Sequence, residues 1–299
     1  MLKSTGLIFV CLLALAGCSS KAVPDSQYVP AGGLLDILKD FQRLAREDLY
    51  RFPISKDVTG MNVMKATLLR LEDYEKKNPR RFPDIVAFTK GTAYEKLRDY
   101  ERALAYYRKV AEQNGRLGEE SKQRIAALEA FRQIIETPLS ADDPFAYLEA
   151  LDQKVASWNE LVKKYQGTPY EFLARVEEER VDRAKVTFVE LNRHRIKNGN
   201  DLVIVGYSQL IAKHRQSKNY YRHLIDFGDF YVTLAKDYVA QHDPEGLDFD
   251  AAVFDQLAKS ALKLYTEVAR VDGIVEKIEA QGKIEALRGL TEKVKRLNQ

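Results

Sequence analysis

The sequence predicts an all-α protein built from antiparallel helical hairpins. From Leu34 onward, apolar residues recur at spacings of three and four, which places them on one face of a helix. Runs of alternating polar and apolar residues, which half-buried strands require, are scarce. A pattern of small and aromatic residues also occurs twice, which indicates repeated pairs of helices. The clearest helical stretches are Leu34-Leu38-Phe41-Leu44, Met64-Leu68-Leu71 and Leu262-Tyr265-Val268.

The first 17 residues have the features of a secretion signal. The apolar stretch from Thr5 to Gly17 contains 13 residues. As a helix with a rise of about 1.5 Å per residue it would reach about 20 Å, which is too short for a hydrocarbon core of about 30 Å. Residues 1–17 are therefore predicted to be a signal peptide that is removed, not a membrane span.

Leu15-Ala16-Gly17-Cys18 resembles the lipobox of bacterial lipoproteins. The resemblance implies cleavage before Cys18 and covalent acyl chains on this cysteine, and two or more chains give stable anchoring. Ser19 stands where the family's sorting pattern has Asp for inner-membrane retention, so we expect a lipid-anchored protein of the outer membrane that faces the periplasm. An ordinary secretion signal that happens to end in Cys is the alternative.

Residues 18–33 are predicted to form a lipidated, flexible tether. They contain two prolines and a glycine pair and lack helical periodicity. Fully extended at about 3.3 Å per residue, Ser19 to Gly33 would reach about 50 Å. Helical repeats are predicted over residues 34–137 and, in degenerate form, over residues 138–299. The boundary, Thr137 to Pro144, can be a hinge or a long loop.

A pair of helices with a recognisable spacing lies around residues 91–110. Gly91 and Tyr94 fall on the first helix, and Ala103 and Tyr107 on the second. Small residues let two helices approach closely, and aromatic residues fill the groove between them. This spacing resembles the tetratricopeptide repeat, which implies an α-solenoid of antiparallel hairpins. Three positions depart from the family pattern: Ala87, Lys90 and Gly115.

A second copy of this pattern is predicted near the C-terminus. Ala261 and Tyr265 match the small and aromatic positions of the second helix, and Gly228 and Tyr231 match those of the first. The first helix of this copy is predicted over residues 224–239. The loop from Gln241 to Asp248 separates the two helices, and the helix after it is expected to be capped by Asp248 or Asp250.

Two further helical segments are predicted between these copies. Residues 156–165 and 168–174 are expected to form a helix, a turn and the next helix. Leu202 to Val205 is the best strand candidate, but its flanking residues, beginning with Asn198, favour a capped and buried helix.

The turn Tyr165-Gln-Gly-Thr-Pro-Tyr170 is similar to the repeat boundary of outer-membrane assembly lipoproteins of the BamD type, and Tyr74-Glu-Lys-Lys-Asn-Pro79 is a weaker version. Together with the lipobox, this resemblance implies a scaffold role with envelope proteins as partners. Neither a nucleic acid nor a small-molecule substrate is expected.

Motifs for catalysis are absent from the sequence. It contains no nucleophile elbow, no phosphate-binding loop and no zinc-binding helix motif. Cys11 belongs to the signal peptide and Cys18 to the lipid site, so the body has no thiol, and no cofactor is expected apart from the lipid. The four histidines are predicted to be structural or solvated, and Glu177-Glu178-Glu179 is predicted to lie in a charged helix face without an acid-base role. The acids between Asp243 and Asp250 lack the calcium-loop register, which favours capping over a metal site.

One basic segment remains as a candidate surface for an anionic partner. It holds seven cations and three tyrosines against a single acid, Asp201, whereas the net charge of the whole chain is only +3. It can bind an acidic protein segment, an anionic glycan or lipid headgroups. The alternative is that its cations pair with the acidic stretch from Asp237 to Asp255. The members are Arg193, Arg195, Lys197, Tyr207, Lys213, Arg215, Lys218, Tyr220, Tyr221 and Arg222.

Together these features predict a non-enzymatic, membrane-anchored scaffold that binds envelope proteins and takes part in outer-membrane complex assembly. The alternative is a lipoprotein that binds peptidoglycan or another anionic glycan through the basic segment.

Overall fold

The computed structural model describes residues 29–47, 62–139 and 143–299. These residues are 80% helical, and no β-strand occurs among them. The helices are α1 (Pro30–Glu47), α2 (Val63–Lys77), α3 (Pro83–Lys96), α4 (Tyr100–Ala111), α5 (Arg116–Glu136), α6 (Pro144–Lys164), α7 (Pro169–Asn192), α8 (Gly199–Lys213), α9 (Tyr220–Gln241), α10 (Ala251–Ala269) and α11 (Glu276–Leu297). The predicted signal peptide, Cys18 and most of the tether lie outside the described residues.

The helices pack mainly against their neighbours along the chain. In addition, α3 contacts α5, and α9 contacts α11. The buried apolar side chains follow the same order, because each cluster is shared by helices that are close in sequence. The predicted all-α class is therefore confirmed.

A shared core crosses the predicted boundary between the two halves. Phe131 of α5 and Trp158 of α6 are both buried, and their ring centroids lie 5.2 Å apart in an edge-to-face arrangement. Tyr165 also packs edge-on against Phe131, with a centroid separation of 6.0 Å. Aromatic contacts of this kind add to the free energy gained from burial. Residues 140–142 of the predicted boundary lie outside the described residues.

Aspartates cap several of the helices. Asp99, Asp143 and Asp250 accept hydrogen bonds from backbone N–H groups in the first turns of α4, α6 and α10. Of the two predicted caps for α10, Asp250 is therefore the cap, since its carboxylate lies 2.8 Å from Ala252 N. Asp248 instead contacts Nδ1 of His242 at 3.0 Å.

Two local predictions need correction. The segment at Leu34 begins a helix earlier than expected, at Pro30, because proline is favoured in the first turn of a helix. Residues 202–205 are helical as predicted, but Asn198 adopts a left-handed φ of 56° and its side chain makes no cap. Leu202 and Val205 are exposed, so α8 is buried on one face only.

The predicted turn around residues 165–168 is confirmed, with α6 ending at Lys164 and α7 beginning at Pro169.

Candidate functional site

Gly91 of α3 lies directly against the aromatic ring of Tyr107 on α4. A Cβ atom at Gly91 would be 2.8 Å from Cε1 of this ring, so only glycine allows the approach. The Tyr107 hydroxyl donates to Glu95 Oε2 at 2.8 Å. From α5, Arg124 Nη1 donates to the same hydroxyl at 3.0 Å and to Glu95 Oε2 at 3.1 Å. The three helices are thus joined at one buried point.

A similar arrangement occurs in α9, α10 and α11, with the carboxylate directly after the glycine and the cation bonded to the carboxylate alone. A Cβ atom at Gly228 would be 2.5 Å from Cε1 of Tyr265. The Tyr265 hydroxyl donates to Asp229 Oδ1 at 2.5 Å, and Lys283 of α11 donates to Asp229 Oδ2 at 2.8 Å. Each unit therefore combines a glycine and a carboxylate on the first helix, a tyrosine on the second and a cation on the third.

The other small and aromatic residues of the two patterns pack around these points. Ala103 and Ala261 are fully buried on α4 and α10. Tyr94 stacks on Tyr106 with ring centroids 5.6 Å apart. Tyr231 packs on Phe227 at 4.8 Å.

A groove of about 700 Å³ runs between α1, α3, α5 and α7. Its apolar lining includes Phe41, Phe88 and Phe172, one from each of three different helices. The guanidinium carbon of Arg124 lies 5.0 Å from the ring centroid of Phe88, so the buried network of α3, α4 and α5 fixes one wall. The rest of the lining contains both cations and acids, including Lys96, Arg116 and Glu120. A mixed surface of this kind suits an amphipathic protein segment.

Three consecutive glutamates of α7, Glu177 to Glu179, are buried, which their prediction as part of a charged helix face did not include. Glu177 accepts two hydrogen bonds from the guanidinium of Arg98 and one, at 3.0 Å, from the hydroxyl of Tyr100. Both partners come from the turn between α3 and α4 or the start of α4. Burying a carboxylate costs several kcal/mol unless it is paired, and this pairing supplies the compensation.

The neighbouring acids of α7 contact residues at the end of α8, in the turn after it and in α9. Glu178 and Asp182 both pair with Nζ of Lys213, at 2.9 and 2.7 Å. Glu179 accepts a hydrogen bond from Ser217 at 2.5 Å and lies 2.7 Å from Nε2 of His223. Helix α7 therefore connects the turn after α3 with the turn between α8 and α9 through buried charges.

The bonds to Glu179 and Asp182 keep both groups ionised. Burial alone would raise the pKa of Glu179, but hydrogen bonds from His223 and Ser217 lower it below the ordinary value. Burial is likewise outweighed at Asp182, where contacts with His214 and Lys213 lower the pKa. Carboxylates held in this way stabilise the fold and are not poised to exchange protons at neutral pH.

The four histidines lie at different positions in the fold and do not form a cluster. His214 contacts Asp182, and His223 contacts Glu179; both rings are buried. His242 lies in the loop after α9, and His194 is exposed. Within the part of the chain that the structure describes, no group of three or more His, Cys, Asp or Glu side chains is arranged to hold a metal ion.

The structure divides the predicted basic segment between the two ends of α8. Arg195 and Lys197 lie in the turn before α8, and Arg215 and Lys218 in the turn after it. With 15 residues, α8 separates these turns by about 22 Å. The basic residues therefore do not form one continuous patch.

Several residues of the basic segment form ion pairs or hydrogen bonds with other residues of the chain. Arg193 pairs with Asp237 at 2.7 Å, which is the expected pairing with the acidic stretch. Lys213 pairs with α7, and Arg222 pairs with Glu279 of α11 at 2.6 Å. The hydroxyls of Tyr207 and Tyr220 bond to Glu190 and Glu267, and Tyr221 packs edge-on against Tyr220.

Among the described helices, none is both long enough and apolar enough to cross a bilayer. In comparisons with known proteins, no protein-family model matches this chain, and no curated protein matches it.

Proposed function

We propose that this chain is a non-enzymatic, membrane-tethered scaffold that binds a segment of a partner protein in the groove between α1, α3, α5 and α7. The observation that carries this proposal is the groove itself, which offers about 700 Å³ and is lined by apolar side chains and by charges of both signs. Recognition of an amphipathic segment uses such a combination of apolar anchors and polar rim.

We interpret the helices as a solenoid of the tetratricopeptide type. This interpretation is supported by the two equivalent contacts, Gly91 with Tyr107 and Gly228 with Tyr265, and by the additional contacts of α3 with α5 and of α9 with α11. In such a solenoid the alternate helices form one extended binding surface. The four helices around the groove are alternate helices of this chain.

The position of the scaffold follows from the N-terminal sequence. Leu15 to Cys18 supports lipidation at Cys18, and the segment between Cys18 and the start of α1 at Pro30 would give the body reach from the membrane. A place on the periplasmic side of the outer membrane, in the assembly of envelope complexes, is the role that the combination of anchor and scaffold favours.

The experiment is co-purification from detergent-solubilised envelope with charge-altered groove variants. We expect reproducible partners with the wild type and their loss with Phe172→Glu and Lys96→Glu, because both side chains line the groove. Lys263→Glu, on the exposed side of α10, is the matched control and should retain them. Partners that persist in both groove variants would contradict the assignment of the groove.

Binding of peptidoglycan or another anionic glycan is the alternative function. It depends on the basic segment, whose cations the structure separates and partly neutralises. Retention on cell-wall material that is lost on reversal of Arg193, Arg195, Lys213 and Arg215 would favour this alternative over the scaffold.

A further inference from the structure

A second cleft, of about 590 Å³, lies between α6, α7 and α9. One wall is apolar: the rings of Tyr147 and Phe188 pack with centroids 4.4 Å apart, and Leu191 beside them is 78% exposed. The cationic part of the lining is formed by Arg180 and Arg183, which lie on the same helix as Leu191. An exposed apolar wall next to a cationic one is suited to a partner that carries both properties.

Arg180 differs from the arginines around it. Arg98 binds both oxygens of Glu177, and Arg183 pairs with Asp226 at 2.8 Å. Within the described ranges Arg180 makes no hydrogen bond and no ion pair. Arg180 lies at the surface, and desolvation together with the nearby charge of Arg98 lowers its pKa, because no acid fully compensates its charge. The acid that attracts it, Glu177, is already held by Arg98.

The cleft and the groove share one side of α7. At about 100° of rotation per residue, Phe172, Arg180 and Leu191 fall within about 100° of one another around the helix axis. Phe172 lines the groove, whereas Arg180 and Leu191 line the cleft. A single segment that follows α7 can therefore contact both.

We propose that this cleft binds an acidic side chain of the partner protein together with a neighbouring apolar side chain. Arg180 holds the carboxylate through paired N–H groups, and Tyr147, Phe188 and Leu191 cover the apolar side chain. Charge complementarity selects the partner, since Arg180 is exposed and no internal acid competes with a carboxylate of the partner. This inference rests on the proposed function, because it specifies the chemistry of the segment that the scaffold binds.

The test is selection from a random 12-residue peptide library displayed on phage, with the full-length chain in detergent as target. The wild type is expected to select peptides that carry Asp or Glu within a few residues of a large apolar side chain. Arg180→Gln is expected to lose the preference for acids. For the best synthetic peptide, fluorescence anisotropy should give binding about two- to fivefold weaker with Arg180→Gln, since an exposed charge pair is lost. Leu191→Ser should weaken binding severalfold.

Arg288→Gln, an exposed arginine of α11, is the matched control and should bind the peptide as the wild type does. Selected peptides without acids, equal binding by Arg180→Gln, or no enrichment at all would overturn the inference. Peptides that bind irrespective of Arg180 but are lost with Phe172→Glu would overturn it and leave the groove proposal standing. Binding that is insensitive to both variants would overturn both. Binding of anionic glycan fragments at Arg180 without peptide enrichment would also overturn it and assign the cleft to a glycan.

Discussion

The guanidinium of Arg98 binds both carboxylate oxygens of Glu177, although the two residues are 79 positions apart in the chain. Arg98 lies in the turn between α3 and α4, whereas Glu177 lies within α7. The pair therefore joins the N-terminal helices to the helix that also holds Lys213 and His223 from the C-terminal side. Because α7 lines both the groove and the cleft, this pair fixes one wall of the proposed binding surface.

Removal of this carboxylate is expected to destabilise the protein strongly. Glu177→Gln leaves Arg98 without a counter-charge and should lower the free energy of unfolding by about 3 kcal/mol, the low end for broken buried pairs, because Arg98 is itself partly exposed. Glu285→Gln removes the partner of an exposed arginine on α11 and should change it by less than about 0.5 kcal/mol. Chemical denaturation of the full-length chain measures both. Equal effects of the two variants would show that the Arg98 pair adds no more than a surface contact.

Replacement of glycine by alanine should destabilise the protein at Gly91 and Gly228 but stabilise it at Gly282. Gly91→Ala and Gly228→Ala place a methyl group against a buried tyrosine ring and should each cost about 1–3 kcal/mol. Gly282→Ala in α11 meets no atom within 4 Å, so it should stabilise the protein by about 0.5–1 kcal/mol through helix propensity. Denaturation midpoints give the comparison. Stabilisation by Gly91→Ala would mean that α3 and α4 are further apart than described.

The stability of the folded chain should decrease at acidic pH. The pKa values of Glu179 and Asp182 are lower in the folded chain than in the unfolded chain, so the unfolded state binds more protons as the pH falls. Their contribution is complete above the unfolded pKa of about 4 and is lost as the pH drops through the lower folded values. Unfolding measured from neutral to strongly acidic pH should show this loss, and Glu179→Gln should reduce it. An unchanged acid profile in the variant would contradict the role of Glu179.

The proposed lipid anchor depends on one side chain, Cys18. Cys18→Ser should leave an unlipidated precursor, because the thiol that accepts the acyl group is absent. Incorporation of labelled fatty acid and fractionation of the envelope measure this. Unchanged acylation and membrane recovery would contradict the lipid anchor.

The sequence predicts what is encoded locally. Gly91, Tyr94, Ala103 and Tyr107 lie within 17 residues, so their spacing alone predicts two helices in contact. The cap at Asp250 is equally local, since it depends on the N–H groups of the next turn.

Contacts between distant residues could not be predicted in this way. In the sequence, Glu177 to Glu179 are an ordinary part of a charged helix face, whereas the fold brings Arg98, Lys213 and His223 to them from other parts of the chain. The basic segment is continuous in sequence but not in space, because α8 separates its two ends. Burial of a charge depends on tertiary neighbours, and sequence periodicity does not carry that information.

Site-specific photo-crosslinking in intact cells tests the central claim most directly. A photoreactive residue placed at Gln42 or Phe172 lines the groove, and one placed at Lys263 lies on the exposed side of α10. The scaffold account predicts that both groove positions crosslink to the same envelope protein and that Lys263 does not. Crosslinks to unrelated proteins from the two groove positions, the same product from Lys263, or no protein product from the groove would contradict it.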